Sequence, residues 1–85
     1  MNTKHKKTLS LIFKTPIQSN VSWKDVEKFL IYLGARIKES EGSRIAFELN
    51  GIRAYFHRPH PQKEIDKGAL VSLRKFLENA GVKLC

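Results

Sequence analysis

Arg44, His57, Arg58, His60 and Lys63 are the residues of this sequence best suited to do chemistry. They are basic or imidazole groups that one hairpin and its exit would bring together. Cleavage of an RNA backbone needs few protein groups. A base takes the proton from the ribose 2′-OH, and a cation or acid steadies the phosphorane and the leaving 5′-oxygen. Histidine suits the first task near neutral pH and arginine the second. DNA has no 2′-OH, so such a set would act on RNA only. Other chemistries lack their residues. There is no paired cysteine set, no Gly-rich phosphate loop and no Ser/His/Asp signature. The carboxylates Glu39, Glu41, Glu48, Glu64 and Asp66 form no evident acid/base pair. His57 and His60 have no third ligand placed by the sequence, so neither a metal nor another cofactor is expected. The single Cys85 is terminal and leaves no internal disulfide.

The element that must position these groups is the stretch 42–61, GSRIAFELNGIRAYFHRPHP. Asn50-Gly51 is a strong type I′ hairpin signal, because both central residues of that turn need φ > 0. Pairing the arms across it sets Leu49 against Ile52, Glu48 against Arg53 and Phe47 against Ala54. Ala46 then meets Tyr55, Ile45 meets Phe56 and Arg44 meets His57. Side chains alternate along a strand, so the register sorts two faces. Ile45, Phe47, Leu49, Ile52, Ala54 and Phe56 form an apolar face. Arg44, Ala46, Glu48, Arg53, Tyr55 and His57 form a polar, basic one, on which Tyr55 could stack a base. The exit 57–61, with two prolines two residues apart, reads as a loop.

Around the hairpin the chain supplies a core. Residues 20–34 read as a helix with Ser22 as N-cap and Asp25 favouring its dipole. Trp23, Val26, Phe29, Leu30 and Leu33 make its apolar stripe, and Gly34 is its C′ residue. Residues 35–38 read as a short strand with Ile37 inward. A second helix spans 66–80 with Asp66 as N-cap. Ala69, Leu70, Leu73, Phe76, Leu77 and Ala80 share one face, and Lys67, Arg74 and Lys75 lie outside. Residues 6–14 read as a short helix with Leu9, Ile12 and Phe13 on one side, ended by Pro16. The expected fold is α+β, an α-β-β-β-α layout with a three-stranded antiparallel sheet. Both helices cover one sheet face, and a short helical segment precedes them. Two parts are expected, a basic N-terminal extension over 1–20, frayed at its start, and a folded domain over 21–85.

Length and charge bound the function. Eighty-five residues make one small domain. Sixteen Lys and Arg against eight Asp and Glu give a net charge of +8, the footprint of a polyanion binder. Nucleic acid is the commonest such partner; an acidic protein or an anionic lipid surface also fits. No run reaches the length of a membrane span. Leu9–Phe13 is short for a signal-peptide hydrophobic region, so the protein is expected in the cytoplasm, away from membranes.

Residues 42–82 carry a family resemblance. Gly42-Ser43 enters a strand, and the Asn50-Gly51 turn and the Arg58-Pro59-His60-Pro61 exit follow. Then come Lys63-Glu64-Ile65, Gly68-Ala69-Leu70 opening a helix, and Leu77-Glu78-Asn79-Ala80-Gly81-Val82 closing it. With the helix over 21–34, this resembles the HicA-type toxins of bacterial toxin–antitoxin systems. The resemblance implies a double-stranded-RNA-binding-like fold over 21–85. It also implies a metal-independent endoribonuclease that cleaves mRNA and halts translation, masked by a HicB-type antitoxin. The family's catalytic histidine lies shortly after Gly-Ser, where this chain has Arg44. The expected site therefore has swapped roles: His57 as base, Arg44 as phosphate clamp, and His60 or Arg58 assisting. Ser43, Arg53, Tyr55, Arg58, Lys63 and Lys67 are the expected RNA-binding residues. A catalytically inactive RNA-binding module and a basic protein-interaction domain are the alternative readings.

Overall fold

The computed structural model describes residues 1–59 and 62–83. His60, Pro61 and Cys85, all singled out above, lie outside the described residues. Three helices and three strands follow in the order α1 (Thr3–Phe13), α2 (Trp23–Tyr32), β1 (Arg36–Glu39), β2 (Arg44–Leu49), β3 (Ile52–His57) and α3 (Lys67–Asn79). The strands form an antiparallel meander, β1-β2-β3. This is the expected small α+β fold, with α-β-β-β-α preceded by one more helix.

The hairpin register is the one the sequence implies. Arg44 pairs with His57, Ala46 with Tyr55, Glu48 with Arg53 and Leu49 with Ile52. The turn explains why it cannot slip. Asn50 has φ 52° and Gly51 φ 81°, the left-handed pair that a type I′ turn requires. The Asn50 side chain then donates from Nδ2 to the Ala80 carbonyl at 2.7 Å, tying the turn to the end of α3.

One face of the sheet carries the core. Ile45, Phe47, Leu49 and Phe56 are buried, and Ile37, Ile52 and Ala54 pack against them partly buried. Trp23 at the start of α2 lies with its ring centroid 6.1 Å from both Phe47 and Phe56. Val26, Phe29 and Leu30 of α2 and Leu70, Leu73, Phe76 and Leu77 of α3 belong to the same buried cluster. Ser22 and Asp66 cap the two helices, their side chains accepting from the Asp25 and Ala69 amides. Both helices end in a Schellman arrangement: Ala35 N donates to Leu30 O, and Val82 N to Leu77 O.

The N-terminal segment differs from the expected frayed arm. α1 begins at Thr3, where Asn2 caps it by accepting from the His5 amide at 2.8 Å. Leu9 and Ile12 are buried in the main cluster, Ile12 completely. His5 stacks on Tyr32 with ring centroids 4.7 Å apart. Arg74 was expected outside; instead its guanidinium donates to the Ile12 and Lys14 carbonyls, which α1 leaves without helical partners. The lysine-rich composition hid this. The apolar spacing Leu9, Ile12, Phe13 decides the packing, while the lysines stay exposed and Lys4 reaches Asp25 of α2 at 3.5 Å.

Candidate nucleic-acid interface

The uncovered face of the sheet is a grid of side chains fixed by strand register. The first row across β1, β2 and β3 is Arg36, Glu48 and Arg53; the second is Lys38, Ala46 and Tyr55. Arg44 and His57 form the third row, with the Ser40 amide donating to the Arg44 carbonyl at 2.9 Å. Arg36, Lys38, Arg44, Arg53, Tyr55 and His57 are all exposed. Four permanent cations thus share the grid with one carboxylate, Glu48, and a second, Glu39, lines the depression at its margin. A depression of about 580 Å³ lies over this face. Its floor is low because Ala46, in the middle of the grid, has only a methyl group.

The aromatic group of the face has a cation beside it. The Arg44 guanidinium lies over the Tyr55 ring, 5.0 Å from its centroid. Arg53 stands on the other strand-neighbour side, 3.6 Å from the Glu48 carboxylate. The Tyr55 hydroxyl, and after it Glu48, holds the Arg53 guanidinium above its ordinary pKa, so its charge is permanent. Tyr55 nevertheless stays 55% exposed, which leaves ring surface for a ligand.

The strand exit is governed by Arg58. Its backbone amide donates to the Ser43 carbonyl at 2.8 Å, one step beyond the β2–β3 ladder. Its side chain turns away from the open face. Nε donates to Glu27 Oε1 at 2.8 Å and Nη1 to Glu39 Oε1 at 2.7 Å. Glu27 Oε1 also accepts from Trp23 Nε1 at 2.8 Å. The two carboxylates, Glu27 first, push the arginine pKa above its usual value. Arg58 therefore clasps α2, β1 and the end of β3. Its charge is neutralised within the protein, not offered on the surface.

The expected site residues accordingly separate. Arg44, Arg53, Tyr55 and His57 share the open face, and Ser43 sits exposed at its edge. Lys63 is in the helix layer: its carbonyl accepts from the Trp23 amide at 2.9 Å. Lys67 is exposed at the first position of α3, also outside the sheet grid. The cations Arg36 and Lys38 belong to the face but were not among the expected residues. The alternation Arg36, Ile37, Lys38, with the isoleucine inward, was the signal that could have found them. The second omission is the pair Glu27 and Glu39, which hold Arg58. They are 31 and 19 residues from it in sequence, and no local pattern joins them.

Among the described residues no group of three His, Cys, Asp or Glu side chains is placed to hold a metal ion. Likewise, no described helix is long and apolar enough to cross a membrane.

Comparison with known proteins bears on this arrangement directly. A family model described as the HicA toxin of bacterial toxin–antitoxin systems matches residues 23–82. No curated protein and no solved structure matches the chain. The matched span opens at the first residue of α2, includes the whole sheet with its basic face, and ends just past α3, with α1 lying before it. Because it takes in most of the chain and every element of the α-β-β-β-α unit, the chain belongs to the HicA toxin family of bacterial toxin–antitoxin systems.

Proposed function

We propose that this protein is the toxin of a type II toxin–antitoxin pair and acts in the cytoplasm as an endoribonuclease on mRNA. A HicB-type antitoxin binds and masks it. The observation that carries the reading is the pairing of His57 with Arg44 on an exposed, cationic sheet face. Neutral His57 accepts the 2′-OH proton as that oxygen attacks the adjacent phosphorus. Arg44 stabilises the charge that gathers on the non-bridging oxygens of the phosphorane. The leaving 5′-oxygen takes a proton from a general acid, a role we assign to His60 from its chain position alone. The products are a 2′,3′-cyclic phosphate and a 5′-hydroxyl. Arg58 supports this site by position, since its guanidinium is committed to Glu27 and Glu39.

No metal is needed for these steps. Incubation of an RNA strand with the protein in excess chelator tests the reading. Cleavage to cyclic-phosphate ends is expected, while the all-deoxy strand of the same sequence stays intact. Cutting of the deoxy strand, or cleavage only with added divalent metal, contradicts it.

A second reading, RNA binding without cleavage, draws on one observation. The depression lies over Arg36, Lys38, Arg44, Ala46, Arg53 and Tyr55, and His57 does not line it. Intact RNA retained in a complex, in the same incubation, favours that reading.

A further inference from the structure

The open face has a shape as well as a charge, and the shape selects among polyanions. A rigid duplex presents paired bases that are stacked on one another and closed to a protein ring. An exposed tyrosine gains nothing from such a ligand beyond contact with its backbone. An unpaired strand offers free base faces, and stacking on aromatic side chains is how single strands are bound. We propose that the grid face is a single-strand site. One unpaired base seats against Tyr55 over the Ala46 gap, and the flanking phosphates run along Arg36, Lys38 and Arg53. This rests on the RNA reading above and adds the substrate class and the residues that choose it.

Three observations carry it. Tyr55 is exposed, and the Arg44 guanidinium over its ring favours one orientation of it. A ring already oriented loses little freedom when a base stacks on it. The residue directly across from Tyr55 is Ala46, so space beside the ring is open where any larger side chain would fill it. The cations stand on β1 at Arg36 and Lys38 and on β3 at Arg53, at both margins of the gap. Among them the sole carboxylate of the grid, Glu48, is already paired with Arg53.

The test is fluorescence anisotropy of the full-length protein with a 2′-O-methyl RNA strand of about 12 nucleotides, within the span of small single-strand sites. The strand resists 2′-OH cleavage and is compared with the same strand annealed to its complement. Single-strand binding tighter than duplex binding by about tenfold or more is expected. Tyr55→Ala is expected to weaken single-strand binding about 5- to 150-fold, the worth of one stacked base. It leaves duplex binding unchanged, and Tyr55→Phe retains the preference. Ala46→Leu fills the gap without altering charge and is expected to abolish the preference while the salt dependence stays. Arg36→Ala and Lys38→Ala are each expected to reduce the salt slope for the single strand by about 0.7. Equal or tighter binding of the duplex, or equal losses for both probes in Tyr55→Ala, overturns the single-strand site alone. Salt-insensitive or undetectable binding of both probes overturns the RNA reading with it and turns the face over to an acidic protein.

Discussion

Replacing Arg58 by alanine removes a clasp between three elements, and its cost can be worked from the two ion pairs. The pair with Glu39 joins side chains 35% and 65% exposed, so solvent screens it and about 0.3–0.5 kcal/mol is expected. The pair with Glu27 joins side chains 35% and 22% exposed. Glu27 Oε1 also holds the Trp23 indole N–H, so it cannot turn freely to water when Arg58 is lost. A hydrogen bond to a charged group is worth about 1.5–3 kcal/mol when well shielded; with Arg58 a third exposed, about 1–2 kcal/mol is the reasoned value. The sum is about 1.5–2.5 kcal/mol, or a fall in Tm of roughly 6–20 °C for a domain of this size. Urea unfolding of Arg58→Ala, Glu27→Ala, Glu39→Ala and the two double variants gives the coupling energies. Arg58 should couple to Glu27 more strongly than to Glu39, and only the Glu39 part should fade in high salt. An Arg58→Ala cost below about 0.5 kcal/mol refutes the clasp, and so does a larger coupling to Glu39.

Three further outcomes follow from the same structure. Asn50→Ala loses both a residue that tolerates φ 52° and the bond to the Ala80 carbonyl; urea unfolding should show a loss of about 1–2 kcal/mol. Ile12→Ala opens a cavity in the core and should cost about 2–4 kcal/mol in the same assay, whereas an effect under about 0.5 kcal/mol would mean α1 is not packed. Arg74→Ala strands the carbonyls that end α1. It should raise hydrogen exchange in residues 3–13 above that of β2, where a uniform change across the chain would contradict the contact.

The hairpin was legible to the residue because two independent signals agree there. Asn-Gly sets the turn, and strict alternation from Arg44 to His57 sets the faces, so a one-residue slip would bury charge. The α2 and α3 caps were legible for a similar reason, since Ser22 and Asp66 each precede an apolar stripe. Helix α1 was half legible. Its three apolar positions gave the helix, but lysines at 4, 6 and 7 suggested a loose arm, and nothing local announces that Arg74 grips its end. Arg58 shows the limit most clearly. Beside His57, Pro59 and His60 it resembles a surface cation, and only tertiary contact with Glu27 and Glu39 neutralises it. Charge in a sequence marks potential ligands; which of them stay free is decided by partners far along the chain.

His57, set opposite Arg44, is the general base in the proposed RNA cleavage. RNA incubated with wild-type protein and with His57→Ala, both at neutral pH in chelator, tests it most directly. His57→Ala should fold as the wild type does, since the side chain is exposed. Its cleavage rate should fall by about 10²–10⁴-fold, the usual share of a general base. Cleavage by His57→Ala at the wild-type rate would contradict the account.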